Sequence, residues 1–149
     1  LAHRQEKLAV IDGIQYINDS KATNGQAAAR ALGCYRNIYW IVGGRAKEDG
    51  VNAAFPHLSR VRHAYLIGEA ATEFASKLDR KVPVTISGQL SSAVHKAREN
   101  ALAELGDGAT VLFSPACSSF DQFQNFESRG DAFRKIIESL PGAREEAMA

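Results

Sequence analysis

Strands alternating with helices predict an α/β fold: a mostly parallel sheet with helices on both faces and an N-terminal antiparallel hairpin. Three observations carry this. Apolar residues alternate, then recur at helical spacing, then alternate again along the chain. The apolar run Ile38-Tyr39-Trp40-Ile41-Val42 is stopped by Gly43-Gly44, as a strand buried on both faces would be. Asp12-Gly13 separates two apolar runs near the start, a strong hairpin signal because both turn residues need positive φ.

The hairpin is expected over Leu8–Ile11 and Ile14–Ile17. Gln26 to Leu32 reads as a helix ended by Gly33, and Asn37 to Val42 as the buried strand. Val51 to Leu58 reads as a short helix kinked near Pro56, and Arg62 to Ile67 as a strand ending at Gly68. Glu69 to Leu78 is a helix with acids in its first turn and Lys77 in its last, as the helix dipole favours. Val82 to Ile86 is a strand. From Leu90 to Leu105 the residues Leu90, Ala93, Val94, Ala97, Ala101 and Leu105 keep to one helical face. Thr110 to Phe113 is another buried strand. Phe126 to Leu140 contains the last helix, with Phe133, Ile136, Ile137 and Leu140 on one stripe.

The 149 residues suit a single domain, placed at 1–140, with a polar, frayed tail at 141–149. Eighteen Lys+Arg against 17 Asp+Glu leave a net charge of +1, so no nucleic-acid or membrane partner is expected. The longest apolar run is five residues, and a membrane span needs ~20. The start is polar and lacks both Met and a signal sequence, as expected of a piece of a longer chain. Cys34 and Cys117 form no CxxC, which favours reduced thiols in a cytoplasm. His3, His57, His63 and His95 have no metal-binding spacing, so no metal site is expected.

Ligands of open parallel sheets bind beyond the carboxyl ends of the strands. Three polar segments fall there: Asn18 to Asn24, Gly43 to Lys47, and Ser114 to Gln122. Thr23 with Gln26, and Ser119 with Gln122, each make a capping-box pattern. Either can be a simple helix start, or a helix N-terminus that offers N–H groups to an anion. Lys21 would strengthen the latter, and Asp19 could accept from a ribose hydroxyl or help hold a cation. Read from spacing alone, Arg45 and Lys47 are solvated loop cations. Neither GxGxxG nor GxxxxGK[ST] occurs in the chain.

At these segments the chain resembles the C-terminal domain of the Mur ligase family, in its D-glutamate-adding branch. The matching stretches are Leu1 to Arg4, Asn18 to Asn24, Asn37 to Gly44, and Leu112 to Phe133. The resemblance implies a Rossmann-like domain at 1–140 that binds D-glutamate and closes over ATP held by a central domain. It implies an ATP-dependent, cytoplasmic bacterial ligase of peptidoglycan precursor synthesis. Its substrates would be D-glutamate, ATP and UDP-N-acetylmuramoyl-L-alanine, joined through an acyl phosphate. Thr23, Lys47, Ser119, the backbone at Phe120, and Phe126 match positions that hold D-glutamate. Arg4, Asp19 and Lys21 match positions that face the nucleotide. No catalytic residue is expected within the chain itself. ATP and Mg²⁺ would be held mainly by the missing N-terminal and central domains, and the chain alone should be inactive. Arg45-Ala46 stands where some relatives have Asp-Gly, so this loop is expected to bend differently. Competing readings are another Mur ligase or folylpolyglutamate synthase, a stand-alone nucleotide-binding or regulatory domain, and an interaction module.

Overall fold

The computed structural model describes residues 1–143. Its elements are β1 (Glu6–Ile11), β2 (Ile14–Asn18), α1 (Gly25–Leu32), β3 (Ile38–Gly43), β4 (Arg45–Ala46), a 3-10 helix (Asn52–Arg60), β5 (Val61–Ile67), α2 (Ala71–Leu78), β6 (Val84–Gly88), α3 (Leu90–Glu104), β7 (Thr110–Phe113), β8 (Cys117–Ser118) and α4 (Phe126–Glu138). Six strands form one sheet in the order β1-β2-β7-β3-β5-β6, and β4 pairs with β8 separately. β1 is antiparallel to β2, and the other pairs of the large sheet are parallel. This is the Rossmann-like arrangement with its opening hairpin. The hairpin turn is the expected one, with Asp12 at φ 54° and Gly13 at φ 80°.

The period of two along β3 distributes the core. Ile38, Trp40 and Val42 face one side, where Ala28, Leu32, Phe74 and Leu78 of α1 and α2 cover them. Tyr39 and Ile41 face the other side, against Ala93, Val94 and Ala97 of α3 and Phe133 of α4. Strand β3 lies between β7 and β5, so both faces and both edges are covered and all six of its residues are buried. Trp40 Nε1 donates to the Ser114 carbonyl at 2.8 Å, so the indole N–H is satisfied inside the core.

Several expectations need correction. The Val51–Leu58 segment is a 3-10 helix over Asn52–Arg60 with Pro56 inside it; proline lacks the N–H that a continuous α-helix would use there. Glu69 precedes α2, whose first-turn acid is Glu73. Gly33 ends α1 as expected, as its C-cap at φ −71°.

The capping residues also differ. Asn24, not Thr23, caps α1: its side chain accepts from the Ala27 amide at 2.8 Å. Asparagine is the stronger cap, and it stands one residue closer to the helix. Ser119 starts no helix. Its carbonyl accepts from the Gln122 and Phe123 amides at 3.1 and 2.8 Å, closing a turn. α4 begins seven residues later, where Asn125 accepts from the Ser128 amide at 2.7 Å. Of the tail expected at 141–149, Pro141 and Gly142 form a turn, and the Ala143 amide donates to the Leu140 carbonyl at 3.1 Å. Residues 144–149 lie outside the described residues.

Candidate functional site

The parallel strands β2, β7, β3 and β5 end along one edge of the sheet, and the loops that leave them meet there. The β3 end is closed tightly. Gly43 has φ 136°, and a Cβ on it would run into the Ile67 carbonyl of the neighbouring strand. Only glycine fits that approach. The Gly43 amide then donates to the Pro115 carbonyl at 3.0 Å, tying the loops after β3 and β7.

The same two loops also pair as β4 and β8, with Arg45 opposite Ser118 and Ala46 opposite Cys117. Arg45-Ala46 is therefore a short strand. Arg45 Nε lies 3.3 Å from Glu69 Oε2 on the loop after β5. Lys47 and Ser119 leave the ladder at its two ends. The Asp121 carboxylate accepts from the Glu69 amide at 2.9 Å, which brings the β5 loop to the same place.

Lys47 is exposed, and its Nζ stands 3.5 Å from Thr23 Oγ1 on the loop after β2. A full positive charge and a hydroxyl thus converge from two loops, 24 residues apart in sequence. Ser119 is buried, while Phe120 is 63% exposed. Phe126 begins α4 beside the β2 loop. Lys21 Nζ lies 5.8 Å from the centre of its ring, and His3 meets the ring edge-on at 6.0 Å.

Arg4, Asp19 and Lys21 share a second concavity of about 340 Å³, with Asn24 and Arg30 also on its wall. Arg4 and Lys21 present exposed cations. Asp19 differs: it is buried, its Oδ1 accepts from the Gln5 amide at 3.0 Å, and its Oδ2 accepts from Ser114 Oγ at 2.7 Å. Burial pushes its carboxyl above the ordinary value, against the pull of Ser114 and Gln5. Both oxygens of Asp19 are thus engaged in joining three segments of chain. Among the described residues no group of three or more His, Cys, Asp or Glu side chains gathers, and Asp19 by itself offers no built site for Mg²⁺.

Arg129 has a place here that sequence reasoning missed. It is 1% exposed, and its Nε donates to Ser20 Oγ at 2.9 Å, Nη2 to the Ser20 carbonyl at 2.6 Å, and Nη1 to the Cys117 carbonyl at 3.0 Å. The available signal was position. Arg129 lies four residues before Phe133 on the buried stripe of α4, where a charge must find partners.

Residues 3–117 match the family described as "Mur ligase, glutamate ligase domain". The chain belongs to the Mur ligase family. Among similar curated proteins, a UDP-N-acetylmuramoylalanine--D-glutamate ligase of Rhodospirillum rubrum is 51% identical over 147 residues, covering 99% of this chain and 31% of its own length. One of that name from Paramagnetospirillum magneticum is 51% identical over 140 residues, covering 94% of this chain and 31% of its own. A third, from Nitrobacter winogradskyi, is 49% identical over 142 residues, with 95% and 30% covered. The chain thus spans about 31% of the length of the first two relatives. Among the described residues of this Mur ligase domain, no helix is long and apolar enough to cross a membrane.

Proposed function

We propose that this chain is the D-glutamate-binding domain of an ATP-dependent ligase that adds D-glutamate to UDP-N-acetylmuramoyl-L-alanine in the bacterial cytoplasm. One observation carries the reading: Lys47 and Thr23 converge to 3.5 Å beside the loop that bears Ser119, in a chain about half identical to ligases of that name. Identity of this order over nearly the whole chain favours this ligase over other Mur ligases, folylpolyglutamate synthase or a stand-alone nucleotide-binding domain.

In the parent reaction the substrate carboxylate attacks the γ-phosphorus of ATP, and ADP leaves. The amine of D-glutamate then attacks the acyl carbon, loses a proton, and phosphate departs. Within this domain, Lys47 supplies charge to a carboxylate of D-glutamate. The Thr23 and Ser119 hydroxyls and the Phe120 backbone supply hydrogen bonds, and the Phe126 ring forms a wall. Arg4 and Lys21 set cations toward the phosphates, while Asp19 holds their loop in place through Gln5 and Ser114. ATP and Mg²⁺ are held chiefly by the part of the parent enzyme outside this chain.

The test is Lys47→Ala in the parent ligase. Loss of one charge-assisted contact is worth roughly 1.5–3 kcal/mol, or about 10- to 150-fold. The KM for D-glutamate should rise by that factor, with the KM for ATP nearly unchanged. An unaltered D-glutamate KM would return Lys47 to the status of a solvated loop cation.

A further inference from the structure

We infer that the opposite edge of the sheet carries a separate anion site, formed by Arg36, Arg60 and Arg62, that takes a diphosphate group. These side chains, with Asn37 and Ser59, line a cavity of about 460 Å³. It lies where the parallel strands β3 and β5 begin, away from the edge that bears Thr23, Lys47 and Ser119.

Two of the guanidiniums are fixed in place. Arg60 Nη1 donates to the Tyr35 carbonyl at 3.0 Å, and Arg62 Nε donates to Asn37 Oδ1 at 3.1 Å. Asn37 holds a left-handed backbone, φ 52°, at the entrance to β3. Each bond leaves further N–H groups of the same guanidinium to face a ligand. Arg36 is exposed beside them.

No carboxylate lines the cavity. The ion pairs among the described residues, Arg45–Glu69, Lys96–Glu99, Arg134–Glu6 and His3–Asp131, lie elsewhere. Glu104 accepts from the Tyr39 hydroxyl at 2.7 Å and is also outside the lining. Arg62 also acts on the Tyr39 hydroxyl, so Glu104 stands behind one of the three arginines, but no carboxylate enters the lining. Three like charges in one lining repel one another, and a multivalent anion relieves that repulsion. Guanidinium forks match phosphate oxygens in pairs, and three forks around one cavity suit two linked phosphates better than one. The volume falls in the range of small-molecule sites, about 300–1,000 Å³. A nucleic-acid strand would need a longer basic track than a chain of net charge +1 provides. Free pyrophosphate and the diphosphate of a nucleotide share the recognised chemistry.

Titration of the ¹⁵N-labelled 149-residue chain with pyrophosphate, followed by NMR at low salt, tests the site. Saturable shifts are expected at the amides of Asn37, Ser59 and Arg62. The double variant Arg36→Gln/Arg62→Gln should weaken binding by at least about tenfold while keeping the wild-type melting temperature. Arg36→Gln alone, at an exposed side chain, should weaken it by about threefold and decides the matter if the double variant melts early. Shifts that do not saturate, that fall on residues 19–30 instead, or that persist unchanged in the variants overturn the site. Adenosine diphosphate is the second probe. Binding equal to that of pyrophosphate supports recognition of the diphosphate alone, and tighter binding at the same amides supports a nucleotide as the source.

Discussion

Arg129 Nη2 donates to the Ser20 carbonyl at 2.6 Å, and through this bond the first turn of α4 holds the loop that leaves β2. The same guanidinium reaches the Cys117 carbonyl at 3.0 Å, and Ser20 Oγ donates onward to the Phe126 carbonyl at 2.7 Å. One buried side chain therefore sets the segment bearing Lys21 and Thr23 against the segment bearing Ser119. Burial pulls its pKa down to about 10, so it stays charged at neutral pH.

Replacing Arg129 should be costly even by lysine, which keeps the charge but lacks the fork that serves Ser20 and Cys117 together. Loss of charged hydrogen bonds to buried carbonyls is worth roughly 3 kcal/mol. Chemical denaturation of Arg129→Lys should show a deficit of that order. A wild-type midpoint would mean that the guanidinium is dispensable to the loops it joins.

Caps and ligands separate at α1. Asn24→Ala removes the acceptor for the Ala27 amide and should cost about 1 kcal/mol, with little change in D-glutamate use by the parent ligase. Thr23→Ala should do the reverse, melting near wild type while raising the KM for D-glutamate. Ser119→Ala should resemble Thr23→Ala in kinetics, since Ser119 caps no helix. Melting curves set beside D-glutamate kinetics for the three variants distinguish these roles. Normal kinetics in both Thr23→Ala and Ser119→Ala would remove them from the site.

Acid stability should depend on Glu6. Its burial alone would raise the carboxyl, but Arg134, with the His3 amide and Asn18, outweighs it and holds the group below its ordinary value of 4.5. Arg134 Nη2 lies 2.9 Å from each carboxylate oxygen. A pKa lower in the folded than in the unfolded chain gives stability that is fully present above the ordinary value. That stability is lost as the pH falls through the folded value. Glu6→Gln should therefore flatten the fall of melting temperature on the acid side of about pH 4.5. A slope as steep as the wild type's would assign the acid loss to other carboxylates.

The 149-residue chain alone should fold without hydrolysing ATP. Both faces of the sheet are covered by helices within the described residues, yet no GxxxxGK[ST] loop is present to cradle the β- and γ-phosphates. Phosphate release above that of a mock preparation would contradict this.

Much of the fold was legible because its signals are local. Asp12-Gly13 marks its own turn, the run from Ile38 to Val42 marks a strand covered on both faces, and the spacing from Leu90 to Ala101 marks the face of α3. Polar segments at strand ends likewise marked the loops that meet at one edge of the sheet. Local signals misled where neighbours compete. Thr23 and Asn24 are both good caps, and the backbone settles on Asn24. Ser119 carries a capping pattern, but the chain closes a turn there and starts its helix at Phe126.

The sequence by itself determined the alternation of elements, the hairpin and the membership of the three polar segments. Only the tertiary structure decided which of them touch. The late strand β7 inserts between β2 and β3, and that placement sets the loop of Ser119 beside those of Thr23 and Lys47. Arg129 finds Ser20 across 109 positions for the same reason. A periodic pattern reports only which face of an element avoids water. The partner of a buried charge is set by the order of strands in the sheet, and that order comes from packing both faces at once.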